Sequence, residues 1–316
     1  MHAAVVTEFG KSPRYLYFPE PTLQEDEVLV HVSAAGLHPL AKALASGAHY
    51  ASSRELPAVA GVDGIGKLEH GRRVYFLFAR NPWGTMAELA PAQRSLCVPV
   101  PDGLSDADAA AIVNPGVSAW MSLDDRAGLR PGESVVILGA TGVAGQLAIQ
   151  SARLLGARRV VAVGRNVDAL DGTDVDRIIS LNDPEAIVRD AFLEEAVAGI
   201  DVVVDYLWGS VAEMLLGALA KQFNQNVTRR TRWVEVGDRA GKTVALHGGT
   251  LRSIDLHLMG NGFGANPMEQ ILAAVPGLFQ RAAEGKLKVS TVRVPLRDVE
   301  SAWERAEKGQ RIVLSI

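Results

Sequence analysis

The sequence predicts an α/β fold, a doubly wound parallel sheet set inside a separate β-rich segment. Three observations predict it. A short β-branched run, Ser134-Val135-Val136-Ile137-Leu138, leads through Gly139-Ala140-Thr141-Gly142-Val143-Ala144-Gly145 into a stretch of helical spacing. From there to about residue 260 strand-like and helix-like segments alternate. The first 110 or so residues instead read mainly as β, and the texture changes again after about residue 265.

At 316 residues the chain is long enough for two substantial cores. Its hydrophobic fraction of 48% and charged fraction of 22% are those of an ordinary globular protein. A formal net charge of −4 gives nucleic acid no electrostatic reason to bind. Cys97 is the only cysteine, which excludes an internal disulfide and a multi-cysteine zinc site. No apolar run reaches membrane-spanning length, and the N-terminus lacks the basic and apolar regions of a signal peptide. The expectation is a soluble cytoplasmic protein with neither membrane nor nucleic acid as partner. Asn226-Val227-Thr228 fits a glycosylation sequon and, without a secretory signal, is read as accidental.

In the first segment, Ala3–Val6 and Glu27–Val32 are strand-like, with Pro19 and Pro21 punctuating their connection. Arg73–Phe78 and Thr85–Ala90 are further strand candidates, separated by a turn at Asn81-Pro82. From Ser105 the chain becomes alanine-rich. Ser105-Asp106-Ala107-Asp108 supplies a cap and acids suited to a helix N-terminus. Asn114-Pro115-Gly116 is expected to interrupt that helix, with a second one starting at Val117.

The glycine stretch sits at a strand-to-helix turn, where first-turn amides lack internal partners and the helix dipole favours an anion. Gly142 and Gly145 would let a pyrophosphate approach and the helix pack tightly on the strand. An ordinary tight turn is the competing reading. Arg158–Val163 reads as a second strand and closes a βαβ unit. At its end an NAD site normally carries Asp or Glu for the ribose hydroxyls. Here stand Gly164-Arg165-Asn166. Glycine leaves room for a 2′-phosphate and Arg165 can pair with it, which favours NADPH. Asp168 is the competing acid, and a solvated surface arginine the competing reading of Arg165.

The alternation continues with strands at 177–180, 200–205, 232–237 and 255–260 and helices at 184–198 and 210–220. The tail reads as a helix over 268–284, a strand over 289–294, a helix over 298–308 and a last strand over 311–314 that could return to the N-terminal β segment. Gly237–Thr243 resembles a phosphate loop but is one residue short, and no long helix can follow it. Lys221, Arg229, Arg230 and Arg232 lie in a stretch without acids; it could attract a phosphorylated substrate such as a coenzyme A ester, with a solvated loop as the alternative.

Several stretches recur in one order: Ala35-Gly36-Leu37-His38-Pro39, Leu56-Pro57-Ala58-Val59-Ala60-Gly61-Val62-Asp63-Gly64, Asn114–Trp120, Ala140-x-Gly142-x-x-Gly145 and Gly309–Leu314. In that order and spacing the chain resembles the medium-chain dehydrogenase/reductase superfamily and, within it, the zinc-independent quinone oxidoreductases. The resemblance implies a Rossmann dinucleotide-binding domain over 115–264, inserted in a GroES-like catalytic domain formed by 1–114 and 265–316, with the active site in the cleft between them. It also implies that Tyr206, Leu207, Val236, Gly237, Asn261 and Gly262, at the ends of later strands, line the nicotinamide and its ribose. For Leu207 and Trp208, packing between domains is the competing reading. Zinc-dependent relatives carry a cysteine near His38, a His-Glu pair where Val62-Asp63 stands and a cysteine near Pro115. This sequence departs at those positions and lacks the four-cysteine loop, so no metal is expected. It departs from the quinone-reductase pattern too, with His38 for Asn and Ala41 for Asp.

A reductase of this kind needs a hydride donor, an electrophilic carbon and a group that holds the charge appearing on oxygen. The candidates for the last are Tyr50, His38 and Asn114. A loop aromatic, a satisfied structural histidine and a helix cap are the respective alternatives. The reading is a zinc-independent, NADPH-dependent reductase of quinones or α,β-unsaturated carbonyls, with a homodimer implied by the resemblance through pairing of sixth strands. The alternatives are a 2-enoyl thioester reductase, which the Asn114-Pro115 pair also resembles, and a non-catalytic NADPH-binding sensor or scaffold.

Overall fold

The computed structural model describes residues 1–49, 52, 55–221, 229–305 and 308–316. The chain forms two units, Met1–Asn114 with Leu272–Ile316, and Pro115–Ile271. Tyr50 and the sequon at 226–228 lie outside the described residues.

The first unit begins with β1 (His2–Val6), β2 (Arg14–Tyr17), β3 (Glu27–Leu37), α1 (Pro39–Ala45), β4 (Ala58–Val59), β5 (Asp63–Leu68), β6 (Arg73–Leu77), β7 (Leu89–Gln93) and β8 (Cys97–Pro99). β3 is its spine, pairing antiparallel with both β5 and β7. It runs five residues beyond the strand expected from alternation, through Ser33-Ala34-Ala35-Gly36-Leu37. Those small residues have little strand propensity of their own, and neighbouring backbone holds them extended instead. A side chain at position 36 would meet the Ala110 carbonyl at 2.9 Å.

The strand expected over 85–90 is displaced to β7. Met86 bonds to two different segments, its carbonyl accepting from Ala4 of β1 (2.9 Å) and its amide donating to Ala60, just past β4 (3.0 Å), so no ladder forms there. The expected break at Asn114-Pro115-Gly116 is also absent. α2 (Asp106–Met121) runs straight through with Pro115 inside it. One proline deletes one backbone bond, and the alanine-rich turns on its N-terminal side keep the helix. Asn114 therefore caps nothing. Ser105 does cap α2, its hydroxyl accepting from the Asp108 amide at 3.2 Å.

The second unit contains β9 (Ser134–Leu138), α3 (Val143–Leu154), β10 (Arg159–Gly164), β11 (Arg177–Ser180), α4 (Glu185–Ala198), β12 (Val202–Asp205), α5 (Gly209–Ala220), β13 (Arg230–Glu235), α6 (Gly248–Ser253) and β14 (Asp255–Gly260). The six strands are parallel in the order β11-β10-β9-β12-β13-β14. This is the Rossmann doubly wound sheet, whose order reverses between β9 and β12. Val136, Leu138, Val161, Val163, Val203 and Trp233 pack with Phe192, Leu215 and Leu219 in one buried cluster.

The chain then returns to the first unit through α7 (Met268–Ala283), β15 (Thr291–Pro295), α8 (Val299–Glu304) and β16 (Arg311–Ser315). β16 pairs with β15 and, antiparallel, with residues 34–37 of β3, the return read from the sequence. No described helix is long and apolar enough to cross a membrane.

One ion-pair network ties α4 to the sheet. Glu195, 4% exposed, accepts from Arg159 at 2.7 and 3.0 Å and from Arg177 at 2.8 Å. Burial raises its carboxyl pKa, and the two guanidinium groups outweigh burial, so the net shift is downward. A lowered folded pKa means stabilisation that is complete above the unfolded carboxylate value, about 4.3, and lost as pH falls through the folded one. Glu195→Gln is expected to destabilise by about 2 kcal/mol near neutrality. In urea unfolding at stepped pH its deficit against the wild type should shrink below about pH 4.

Candidate functional site

β9 delivers the chain to Gly139, whose φ of +86° only glycine adopts without strain. The amides of Gly139 and Ala140 both donate to the Val163 carbonyl at 2.9 Å, stitching the turn to the end of β10. Gly142 is the N-cap of the twelve-residue α3 and supplies no side chain to its first-turn amides. A side chain at 142 would meet nothing nearer than the Gly139 carbonyl at 3.5 Å. At 145 it would lie 2.4 Å from that carbonyl and 2.5 Å from the Ala140 Cα. Gly145 thus lets α3 seat on the strand end, while Gly142 faces open space. This is a cradle for an anion, and it fits a pyrophosphate.

The other expected contacts of this unit gather at the same end of the sheet. A Cβ at Gly139 would meet the Tyr206 Cβ at 3.1 Å and the Leu207 side chain at 3.3 Å, and one at Gly237 would meet the Tyr206 carbonyl at 3.3 Å. The Val236 and Gly237 amides both donate to the Asp205 carbonyl. The Asn261 amide donates to the Glu235 carbonyl at 2.8 Å, which brings Asn261 and Gly262 beside them. The side chain of Asn261 is already occupied. Its Nδ2 donates to the Ser118 carbonyl (2.9 Å) and Ser122 Oγ (2.7 Å), and its Oδ1 accepts from Asn266 (2.6 Å). Tyr206 points its hydroxyl to a buried place beside Ser118, and burial raises its pKa.

Two acids that sequence reasoning passed over stand there. Asp205 is fully buried and accepts from the Leu207 and Trp208 amides at 2.8 Å and from Trp233 Nε1 at 3.1 Å. Glu235 is its register partner on β13. Burial raises both carboxyls; Asp205 and Asp238 raise Glu235 further, whereas its donors pull Asp205 partly back. An acid at a strand's C-terminal end is the signal that could have found them.

At the end of β10, Arg165 and Asn166 are exposed, and the Arg165 guanidinium has no ion-pair partner among the described residues. Asp168 is exposed in the 3-10 turn Val167–Leu170. Gly164 is buried. The space on its side-chain side, expected to be free, holds Thr141.

In the first unit His38 is the N-cap of α1 and 1% exposed. The Ala41 amide donates to its Nδ1 at 3.3 Å, so Nδ1 is unprotonated and Nε2 carries the hydrogen. That hydrogen goes to Asp63 Oδ1 at 3.0 Å, and Tyr75 donates to Asp63 Oδ2 at 3.1 Å. Burial and the Asp63 charge raise the Tyr75 pKa. Neither nitrogen of His38 is left over. Asn114 lies half-buried within α2, and its side-chain amide makes no hydrogen bond to a described residue. Among the described residues no three His, Cys, Asp or Glu side chains gather to hold a metal ion.

The basic stretch is paired from outside itself. Arg229 meets Asp201 (2.8 Å), Arg230 meets Asp255 (2.9 Å) and Arg232 meets Glu133 (2.7 Å). Arg230 begins β13, the opposite end of the parallel sheet from the glycine turn. Residues 222–228 of this stretch lie outside the described residues.

A Rossmann sheet with a glycine turn at its reversal point defines a dinucleotide-binding fold, here joined to a GroES-like β unit. No family model matches the chain. It is 28% identical over 99% of its length to 99% of the Emericella nidulans protein named "Probable NADPH-dependent quinone reductase tdiC". It is 32% identical over 80% of its length to 12% of a mycocerosic acid synthase-like polyketide synthase of Mycobacterium tuberculosis. A mycobacterial quinone oxidoreductase superposes with a TM-score of 0.85 at 22% identity over the whole of both chains. In sequence and in fold the chain is similar to the medium-chain dehydrogenase/reductase superfamily and, within it, to quinone oxidoreductases.

Two substitutions test the geometry. Gly145→Ala should cost about 1–3 kcal/mol by overpacking, visible as a lowered thermal midpoint. His38→Ala removes a cap and one donor to a buried carboxylate, and should cost about 3 kcal/mol in urea unfolding.

Proposed function

We propose that the chain is a zinc-independent, NADPH-dependent oxidoreductase that transfers a hydride to a quinone or an α,β-unsaturated carbonyl. The observation that carries the reading is the uncapped, glycine-lined start of α3 together with an Arg165 that has no ion-pair partner among the described residues, and no acid within 164–166, at the end of β10. When bound, NADPH supplies the hydride. The amides of Val143 and Ala144 receive the pyrophosphate, with Ala140, Thr141, Gly142 and Gly145 shaping the cradle. Arg165, flanked by Gly164 and Asn166, takes the 2′-phosphate. Tyr206, Leu207, Val236, Gly237, Asn261 and Gly262 line the nicotinamide end, Asn261 through its backbone since its side chain is occupied.

Asn114 and Tyr50 are the donors proposed for the substrate oxygen on which charge develops. His38, expected from the sequence as a donor or relay, is proposed instead as a positioning residue, because both its nitrogens are committed within α1 and to Asp63. A homodimer would use β14, an edge strand with Leu258 exposed and its outer backbone edge open. A lone cysteine, Cys97, whose thiol burial pushes up to about 11, suits a cytoplasmic protein.

Similarity to part of a polyketide synthase favours a second reading, a 2-enoyl thioester reductase. The paired arginines at the far end of the sheet give a coenzyme A phosphate little free charge to meet.

NADPH and NADH oxidation should be followed side by side with a quinone, a simple enone and an enoyl thioester. The proposal expects quinone or enone turnover with NADPH preferred; thioester turnover alone selects the second reading, and cofactor binding without turnover overturns both. Arg165→Ala should weaken NADPH binding roughly ten- to a hundredfold and leave NADH binding nearly unchanged. Leu258→Lys should lower the sedimenting mass to that of a monomer.

A further inference from the structure

Gly164 is the position at which a dinucleotide fold normally carries its ribose-binding acid. Nothing in its own backbone requires glycine, since its φ lies outside the left-handed range. The requirement comes from Thr141. A Cβ at position 164 would lie 2.4 Å from Thr141 Cγ2, 2.8 Å from Oγ1 and 3.1 Å from Cβ. Rotation about χ1 moves only the γ atoms of Thr141; its Cβ, fixed by the backbone, stays 3.1 Å away and leaves no room for a longer side chain at 164.

Neither backbone can retreat. The Gly139 and Ala140 amides are tied to the Val163 carbonyl at 2.9 Å, immediately before Gly164. The Gly164 carbonyl accepts from the Leu181 amide at 2.9 Å, and the Arg165 carbonyl from Asn182 Nδ2 at 2.7 Å. On the other side the Thr141 carbonyl accepts from Gln146 Nε2 at 3.3 Å. The two positions are clamped face to face with volume for one side chain between them.

We infer that Thr141 and Gly164 form an exclusive pair that sets dinucleotide specificity: with threonine at 141, no acid can be seated at 164 to receive the ribose hydroxyls. Asn182 is a positioning residue of the same device, holding the backbone from which Arg165 projects. The inference rests on the NADPH reading for its functional consequence and on packing alone for its mechanism.

The two parts are tested separately. Thermal unfolding without cofactor compares Gly164→Ala in the wild-type and Thr141→Gly backgrounds. In the wild type it should lower the midpoint by at least about 3 °C, and in the Thr141→Gly background by about 1 °C or less. Equal losses in both backgrounds overturn the pairing. Dissociation constants for NADPH and NADH are then measured by calorimetry. Gly164→Asp alone should gain no NADH affinity, whereas Thr141→Gly/Gly164→Asp should bind NADH about tenfold tighter than the wild type does. A single Gly164→Asp variant that gains the same affinity overturns the exclusivity. Wild-type protein that binds neither dinucleotide overturns the NADPH reading and the specificity role, while the melts still decide the packing.

Discussion

The nucleotide-facing end of the sheet depends on how closely α3 seats on β9. The distance available at Gly145 leaves no room for a methyl group between the helix and the Gly139–Ala140 backbone. That approach aims the free amides of the helix at the strand ends and lets the turn hand two of its own amides to β10 through Val163. β12 is drawn in as well, because the Tyr206 amide donates to the Leu138 carbonyl at 3.0 Å. The spacing of the strand ends and the position of Gly164 therefore depend on one close backbone contact.

The same end of the sheet collects negative charge. Asp205 and Glu235 sit side by side because parallel register leaves no other arrangement for the last residues of β12 and β13. Asp205 is held by three donors, two of them backbone amides that start the turn into α5. Among the described residues no donor of that kind reaches Glu235, which feels its neighbours as repulsion. Carboxylates so close to a proposed pyrophosphate cradle are tolerated because Asp205 is spent on the backbone, and because the anion is received by the dipole of α3 rather than by side-chain cations.

Most of the alternating strands and helices of 134–260 are legible, because the buried strands are β-branched runs bounded by turn residues; the short α6 announces itself by no such pattern, and β13 begins two residues earlier than expected. The glycine turn was legible for the same reason. Elsewhere long-range backbone pairing decides: residues 33–36 are too small to announce a strand, and Met86 bonds at once to β1 and to the residue after β4. Pro115 failed in the other direction, since one lost bond was a smaller term than the helix around it. Beside β10, the space expected to be open at Gly164 is filled by Thr141. A glycine shows that a side chain is unwelcome, and only packing reveals whether ligand or protein fills the gap. Asp63 lay inside a quoted stretch, yet nothing in sequence links it to His38 and Tyr75.

His38 shows how a single backbone group can decide a role. From the sequence it could donate a proton, relay one or stay put. The Ala41 amide points at Nδ1 and so demands a lone pair there, which fixes the neutral tautomer. Nε2 then has one recipient, Asp63, whose second oxygen is held by Tyr75, all three side chains being buried. The cap of α1, the Asp63 carboxyl and the Tyr75 hydroxyl thus form one closed chain of hydrogen bonds, and it is this chain, reaching across β3, β5 and β6, that sets where the imidazole stands.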